Sequence, residues 1–138
     1  MTYLVDANVL SEPTRPAPDA AVVEWLRTHA AECVVDPVIL GEMRYGILLL
    51  PAGKKRTALE QWFTTGIAGI RCLEWDAAHG LQWAELLARL RRKGVAMPIK
   101  DSLIATTALT HGLIVATRNH ADFKKAGVRV VNPFLVRP

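Results

Sequence analysis

Residues 113–131 read LIVATRNHADFKKAGVRVV. Leu113 to Thr117 is short, apolar and rich in β-branched residues, which predicts a strand. Asn119 stands where a helix cap belongs, and a short helix runs from it to Gly127. Val128 to Val131 predicts the next strand. Strand, helix and strand follow one another here with almost no loop between them, and the rest of the chain repeats the pattern.

Working outward, Tyr3-Leu4-Val5 is a first strand that stops at Asp6, with a helical turn or two over 7–12. Pro13, Pro16 and Pro18 break the chain, and Asp19 caps a helix through Ala30. Cys33-Val34-Val35 is a second strand, closed by Asp36-Pro37 and followed by a helix over 37–50. Another helix begins at Lys54, with Leu59, Trp62, Phe63 and Ile67 on one face. Ile70 to Trp75 reads as a further strand. Asp76 caps a long helix to about Lys93, and Gly94 ends it. Pro98 opens a helix that runs to His111 and stops at Gly112. Short apolar strands alternating with helices predict an α/β fold, a parallel sheet covered on both faces in a three-layer α/β/α sandwich. No repeat or low-complexity linker divides the chain, so 1–138 reads as a single domain.

Composition narrows the class. The chain has 138 residues, 51% hydrophobic and 22% charged, the profile of a globular domain rather than a disordered tail. Its 17 Lys+Arg against 13 Asp+Glu leave a formal net charge of +4, which favours a polyanionic partner. No run approaches the ~18 apolar residues of a membrane span. The opening MTYLVDANVL lacks a basic region and carries Asp6, unlike a signal peptide. Cys33 and Cys72 lie in strand-like runs and read as reduced thiols of a cytoplasmic protein. No Cys/His spacing resembles a zinc site.

In parallel α/β sheets ligands bind beyond the carboxyl ends of the strands. Asp6 ends the first strand, Asp101 lies in the first turn after Pro98, and Asp122 follows the 113–117 strand. Glu42 lies about a turn and a half into the helix after the second strand, among Val38, Ile39, Leu40 and Met43. Each also has a purely structural reading. Asp6 can cap a helix, Asp101 and Asp122 can complement a helix dipole, and Asn119-x-x-Asp122 resembles a capping box. Together they say more. Two bare charges ~4 Å apart repel by about 1–4 kcal/mol at effective dielectric constants of 80 to 20. Four converging carboxylates must take up protons or hold a cation. An all-oxygen set selects a hard ion, Mg²⁺ or Mn²⁺, and such ions beside a basic surface suit phosphodiester hydrolysis.

The motifs resemble those of PIN domains, specifically the VapC/FitB-like toxin ribonucleases of toxin–antitoxin pairs. The opening motif is Leu4-Val5-Asp6-Ala7-Asn8-Val9-Leu10-Ser11-Glu12, and the second is Leu40-Gly41-Glu42 with Arg44 and Gly46. The third is Pro98-Ile99-Lys100-Asp101-Ser102-Leu103-Ile104-Ala105. The fourth is Thr117-Arg118-Asn119 with Asp122-Phe123, then Gly127-Val128 and Asn132-Pro133-Phe134. The resemblance spans essentially the whole chain and implies a five-stranded parallel sheet with a groove for Mg²⁺ or Mn²⁺. It carries metal binding and catalysis onto Asp6, Glu42, Asp101 and Asp122. It implies that Asn8, Thr117 and Asn119 orient those carboxylates or a bound water. One departure is Ala7, where many relatives have Thr or Ser and so a hydroxyl beside the first carboxylate. The implied partners are an RNA substrate, a second copy of the chain, and a cognate VapB/FitA-like antitoxin, through which alone operator DNA is reached.

Arg118 and Lys100 each neighbour a site carboxylate, which makes them candidates for substrate contact or for ion pairing. Arg89, Arg91, Arg92 and Lys93, Lys54-Lys55-Arg56 and Lys124-Lys125 are basic clusters, either solvated helix faces or phosphate contacts. Ile47-Leu48-Leu49-Leu50 is apolar on all sides of its helix, so one face should meet the sheet and another a second helix or a partner. Trp25, Trp62, Trp75 and Trp83 fall within core patterns. The leading expectation is a metal-dependent endoribonuclease toxin. Beside it stand a PIN module that binds RNA or antitoxin but cuts weakly, and a nuclease acting on DNA. A phosphotransfer domain is disfavoured because Asp6-Ala7-Asn8 lacks the paired Asp.

Overall fold

Tyr3, Leu4 and Val5 are all buried, Leu4 and Val5 completely. Successive strand side chains point to opposite faces, so burial of all three means that both faces of the sheet are covered. The computed structural model describes residues 1–135; residues 136–138 of the expected domain lie outside the described residues. The strands are β1 (Tyr3–Val5), β2 (Cys33–Val34), β3 (Ile114–Ala116) and β4 (Arg129–Val131). They form a parallel sheet in the order β2-β1-β3-β4. Leu4 pairs with Val34 on one side and Val115 on the other, all three buried. Burying a Leu or Val side chain stabilises by about 1.5–3 kcal/mol, so this central row anchors the core.

The sheet has four strands among the described residues, not the expected five. The segment read as a strand over Ile70–Trp75 makes one isolated bridge, Val35 to Cys72. Two hydrogen bonds frame it: Val35 N donates to Arg71 O at 3.0 Å, and Leu73 N donates to Val35 O at 2.8 Å. The physical reason is the partner. Asp36-Pro37 turns the chain into a helix directly after Val35, so nothing remains to pair beyond Leu73, and on the other side the single helical turn Ile67–Gly69 runs up to Ile70.

Among the described residues the helices are α1 (Ala7–Leu10), α2 (Ala20–Thr28), α3 (Pro37–Leu48), α4 (Lys54–Thr65), α5 (Ala77–Arg92), α6 (Ile99–His111) and α7 (His120–Lys125). Asp19 and Asp76 cap as their positions suggest, accepting from Ala21 N at 2.9 Å and His79 N at 3.0 Å. Gly112, at φ 64°, ends α6 in the left-handed region that glycine enters without strain. Asn119 behaves differently. Its side chain makes no cap bond, and its backbone sits at ψ 44° rather than in the extended region a side-chain cap needs.

Trp25 packs edge-on to Tyr3, with ring centroids 5.0 Å apart. Trp62 and Trp83 are half-buried, and Trp75 is 38% exposed, more open than a core position. Both cysteines are free and half-buried. No described helix is long and apolar enough to cross a membrane.

A buried polar knot ties the start of α3 to α5 and α6. Asp36, fully buried, accepts from Ile39 N at 2.9 Å and from Thr107 Oγ1 at 2.7 Å. Trp75 Nε1 donates to the same Thr107 hydroxyl at 3.1 Å, and His79 Nε2 lies 3.2 Å from it. Burial pushes the Asp36 carboxyl up and the His79 imidazole down, both toward their neutral forms. Thr107→Val keeps the shape of the side chain but strands buried polar partners. It should lower stability by about 1–3 kcal/mol, read as a reduced urea midpoint with an unchanged slope.

Candidate metal centre

Asp6 follows β1, and its N–H donates to Ala116 O at 2.9 Å, extending the β1–β3 ladder by one step. That step sets Asp6 beside Thr117. Asp6 is 3% exposed and almost fully hydrogen-bonded. Its Oδ1 accepts from Ala7 N at 2.8 Å, which also caps α1. Its Oδ2 accepts from Thr117 Oγ1 at 2.8 Å and from Asn8 Nδ2 at 3.3 Å. Two further bonds brace these donors: Arg118 N donates to Asn8 Oδ1 at 3.1 Å, and Asn119 N donates to Thr117 Oγ1 at 3.0 Å. Thr117 thus supplies a hydroxyl to the first carboxylate of a chain with Ala7 at the position after it.

The other three carboxylates reach this edge from helices. Asp101 is buried in the first turn of α6, and Glu42 is half-buried on α3. Asp122 is half-buried in the first turn of α7. Their charges are felt at one another. Burial raises the Asp6 carboxyl to about 6, the Thr117 hydrogen bond opposes that rise, and the charges of Glu42 and Asp101 add to it. Asp101 is also raised, first by burial; Lys100 opposes the rise, while Asp122 and Glu42 increase it.

Two of the acids are committed to lysines. Lys100 forms an ion pair with Glu42 Oε2, and Lys125 Nζ lies 3.1 Å from Asp122 Oδ1. As the side chains stand, no three His, Cys, Asp or Glu groups among the described residues are gathered tightly enough to hold an ion. The donor set still suits a hard cation, since every candidate ligand is a carboxylate oxygen. Glu42 Oε1 is buried with no hydrogen-bond partner, an oxygen whose desolvation nothing offsets. An added cation would satisfy it.

The remaining candidates divide. Asn8 and Thr117 touch Asp6 directly, whereas Asn119 acts through its backbone N–H. The Arg118 guanidinium lies over the Phe134 ring, 3.7 Å from its centroid, rather than on a carboxylate. Asp122 has no capping-box partner in Asn119. Two buried acids were not singled out by position along the chain, Asp36 and Glu12. Both serve structure: Asp36 in the polar knot, and Glu12 by accepting from Asp19 N at 2.8 Å. An Asp before a Pro at the start of an apolar helix was the available signal for Asp36.

In a parallel α/β domain the carboxyl edge that bears these acidic side chains is where ligand sites as a rule lie. A PIN domain model matches residues 3–128. The VapC ribonuclease Y4jK of Sinorhizobium fredii is 35% identical, over 95% of this chain and 96% of its own length. Toxin FitB of Neisseria gonorrhoeae is 36% identical, over 95% and 97%. The structure of FitAB bound to an IR36 DNA fragment superposes with a TM-score of 0.91 at 34% identity, covering 99% of each chain. The chain belongs to the PIN domain family.

The raised Asp6 carboxyl has a signed consequence for stability. Between its ordinary value of 3.8 and about 6, the native state holds a proton that the unfolded chain has lost. Stability contributed by that proton is complete below this window and falls as pH rises through it. A rise from 3.8 to about 6 corresponds to about 3 kcal/mol. In chelator, Asp6→Asn should remove that part of the decline, leaving a visibly flatter stability profile between about pH 4 and pH 6.5 in urea titrations at each pH.

Proposed function

We propose that this chain is a metal-dependent endoribonuclease acting as the toxin of a toxin–antitoxin pair. The observation that carries the reading is the Asp6 carboxylate, braced by Thr117 and Asn8 and raised first by burial and then by the charges of Glu42 and Asp101. The kinship with VapC ribonuclease Y4jK and Toxin FitB supports the same class.

Asp6, Glu42, Asp101 and Asp122 are the proposed ligands of Mg²⁺ or Mn²⁺. When bound, such an ion supplies Lewis acidity, lowering the pKa of water and neutralising charge that develops on phosphate oxygens. Thr117 and Asn8 hold Asp6 in one orientation, and Asn119 N–H in turn fixes the Thr117 hydroxyl. Arg118, exposed and stacked on Phe134, is the proposed contact for a phosphate oxygen through its guanidinium edge. Lys124 and the basic end of α5, with Arg91, Arg92 and Lys93 exposed, extend the positive surface. Arg89 belongs to the fold instead, donating to Ala126 O at 2.8 Å.

Tyr45, Leu48 and Leu49 on and just after α3 are 64%, 46% and 66% exposed, while Ile47 between them is buried. One face of the apolar helix meets the core and the other is open, as a helical or extended antitoxin segment requires. A VapB/FitA-like antitoxin is the proposed occupant, with operator DNA bound through it, and a homodimer in the cytoplasm is the proposed working form.

Asp6→Asn and Asp101→Asn should each abolish Mg²⁺-dependent cleavage of RNA while circular dichroism reports an intact fold. Thr117→Val should reduce cleavage by about 10–100-fold through loss of carboxylate orientation alone. Full cleavage by both Asn variants, or undiminished cleavage in chelator, overturns the metal site. Cleavage of single-stranded DNA in place of RNA overturns the substrate.

A further inference from the structure

The ion pair between Lys100 and Glu42 has a consequence for how the site takes up its cation. Lys100 precedes Asp101 at the start of α6, and its ammonium reaches across to Glu42 Oε2 on α3. The contact joins residues 58 positions apart on two different helices, so it is not a local accident of one helix face. The Glu42 pair holds Lys100 in its charged form, and Asp101 and Asp6 add to the effect. The same ammonium opposes the rise in the Asp101 carboxyl. Three of the four proposed ligands therefore feel Lys100. Glu42 shows the incompleteness of this arrangement: Oε2 is paired, while the buried Oε1 has no partner.

A divalent cation taken up at the free Oε1 would stand within a few ångström of the ammonium held on Oε2 of the same carboxylate. Like charges at that range repel, and each carboxylate oxygen has few free lone-pair directions. Lys100 itself is half exposed, on a flexible stem that can turn outward with little loss of packing. We infer that Lys100 is a resident counter-cation of the carboxylate site, which an incoming divalent ion displaces from Glu42 and so frees to engage the RNA phosphate. Metal loading and substrate capture are then coupled through one side chain. The inference rests on the proposed metal-dependent function and deepens it. Without the ion, Lys100 balances the acids and is withheld from phosphate; with it, the ammonium is free to join Arg118 as a phosphate contact.

The test uses the full-length protein and Mn²⁺ alone as probe, with no turnover. Amine acylation at Lys100 is followed by peptide mass spectrometry with increasing Mn²⁺, alongside Mn²⁺ affinity by calorimetry for the parent, Lys100→Gln and Lys54→Gln. Lys100 should become several-fold more reactive as Mn²⁺ saturates, with the change half-complete at the calorimetric Kd. Lys100→Gln should bind Mn²⁺ about tenfold tighter, whereas Lys54→Gln, which removes an exposed charge outside the site, should change affinity less than about twofold. A noncleavable RNA analogue added with Mn²⁺ should protect Lys100 again, and should bind Lys100→Gln more weakly than the parent. If the parent binds Mn²⁺ but Lys100 reactivity does not follow occupancy, the displacement is wrong and the metal site stands. If neither the parent nor Lys100→Gln binds Mn²⁺, the metal site and the displacement fall together.

Discussion

The parallel pairing of β1 with β3 is the constraint on which the rest of the molecule depends. It joins residues over a hundred positions apart, Val5 against Ala116, and carries the ladder one step further to set Asp6 beside Thr117. Every other element is arranged around that row. β2 and β4 flank it, both faces are buried under helices, and α6 approaches with Asp101 in its first turn. A parallel sheet collects its strand ends and helix starts at one edge, which is also where acidic side chains find N–H donors. The fold therefore makes it possible to bury a carboxylate as deeply as Asp6 without leaving it unsatisfied.

Burial and charge pull against each other at that edge. Hydrogen bonds from Ala7, Thr117 and Asn8 favour the ionised Asp6, while desolvation and the neighbouring acids favour the proton. The molecule lowers the tension with its own cations: Lys100 on Glu42 and Lys125 on Asp122. The polar knot of Asp36, Thr107 and His79 shows the contrasting solution. There a buried carboxylate is satisfied by hydrogen bonds and a neighbouring imidazole, with no lysine among its bonded partners. Buried polar groups of this sort specify how helices dock, because a misplaced helix leaves them unpaired.

Much of the architecture was legible along the chain because its signals are local. Short Val/Ile/Leu runs closed by Asp, Asn or Gly marked strands and helix starts, and Asp19 and Asp76 cap as their positions suggest. The failures are also local signals, overruled by partners. Ile70–Trp75 has the composition of a strand, yet pairs at a single residue because Asp36-Pro37 ends its neighbour on one side and the helical turn Ile67–Gly69 abuts it on the other. Asn119 has the residue type of a cap, yet its backbone conformation withholds the side chain. Trp75 fits a core pattern, yet stays partly exposed while its indole N–H reaches Thr107.

The class of fold and the identity of the acids at strand ends and in first helical turns are written locally along the chain. Period and capping are encoded within a few residues, so they survive being read one segment at a time. Tertiary structure alone decided which groups share a charge environment. No spacing along the chain says that Thr117 holds Asp6, that Lys100 crosses to Glu42, or that Asp36 is sealed by Thr107. Each of those contacts spans dozens of residues, and its energy depends on burial and distance, which exist only once the strands and helices are packed.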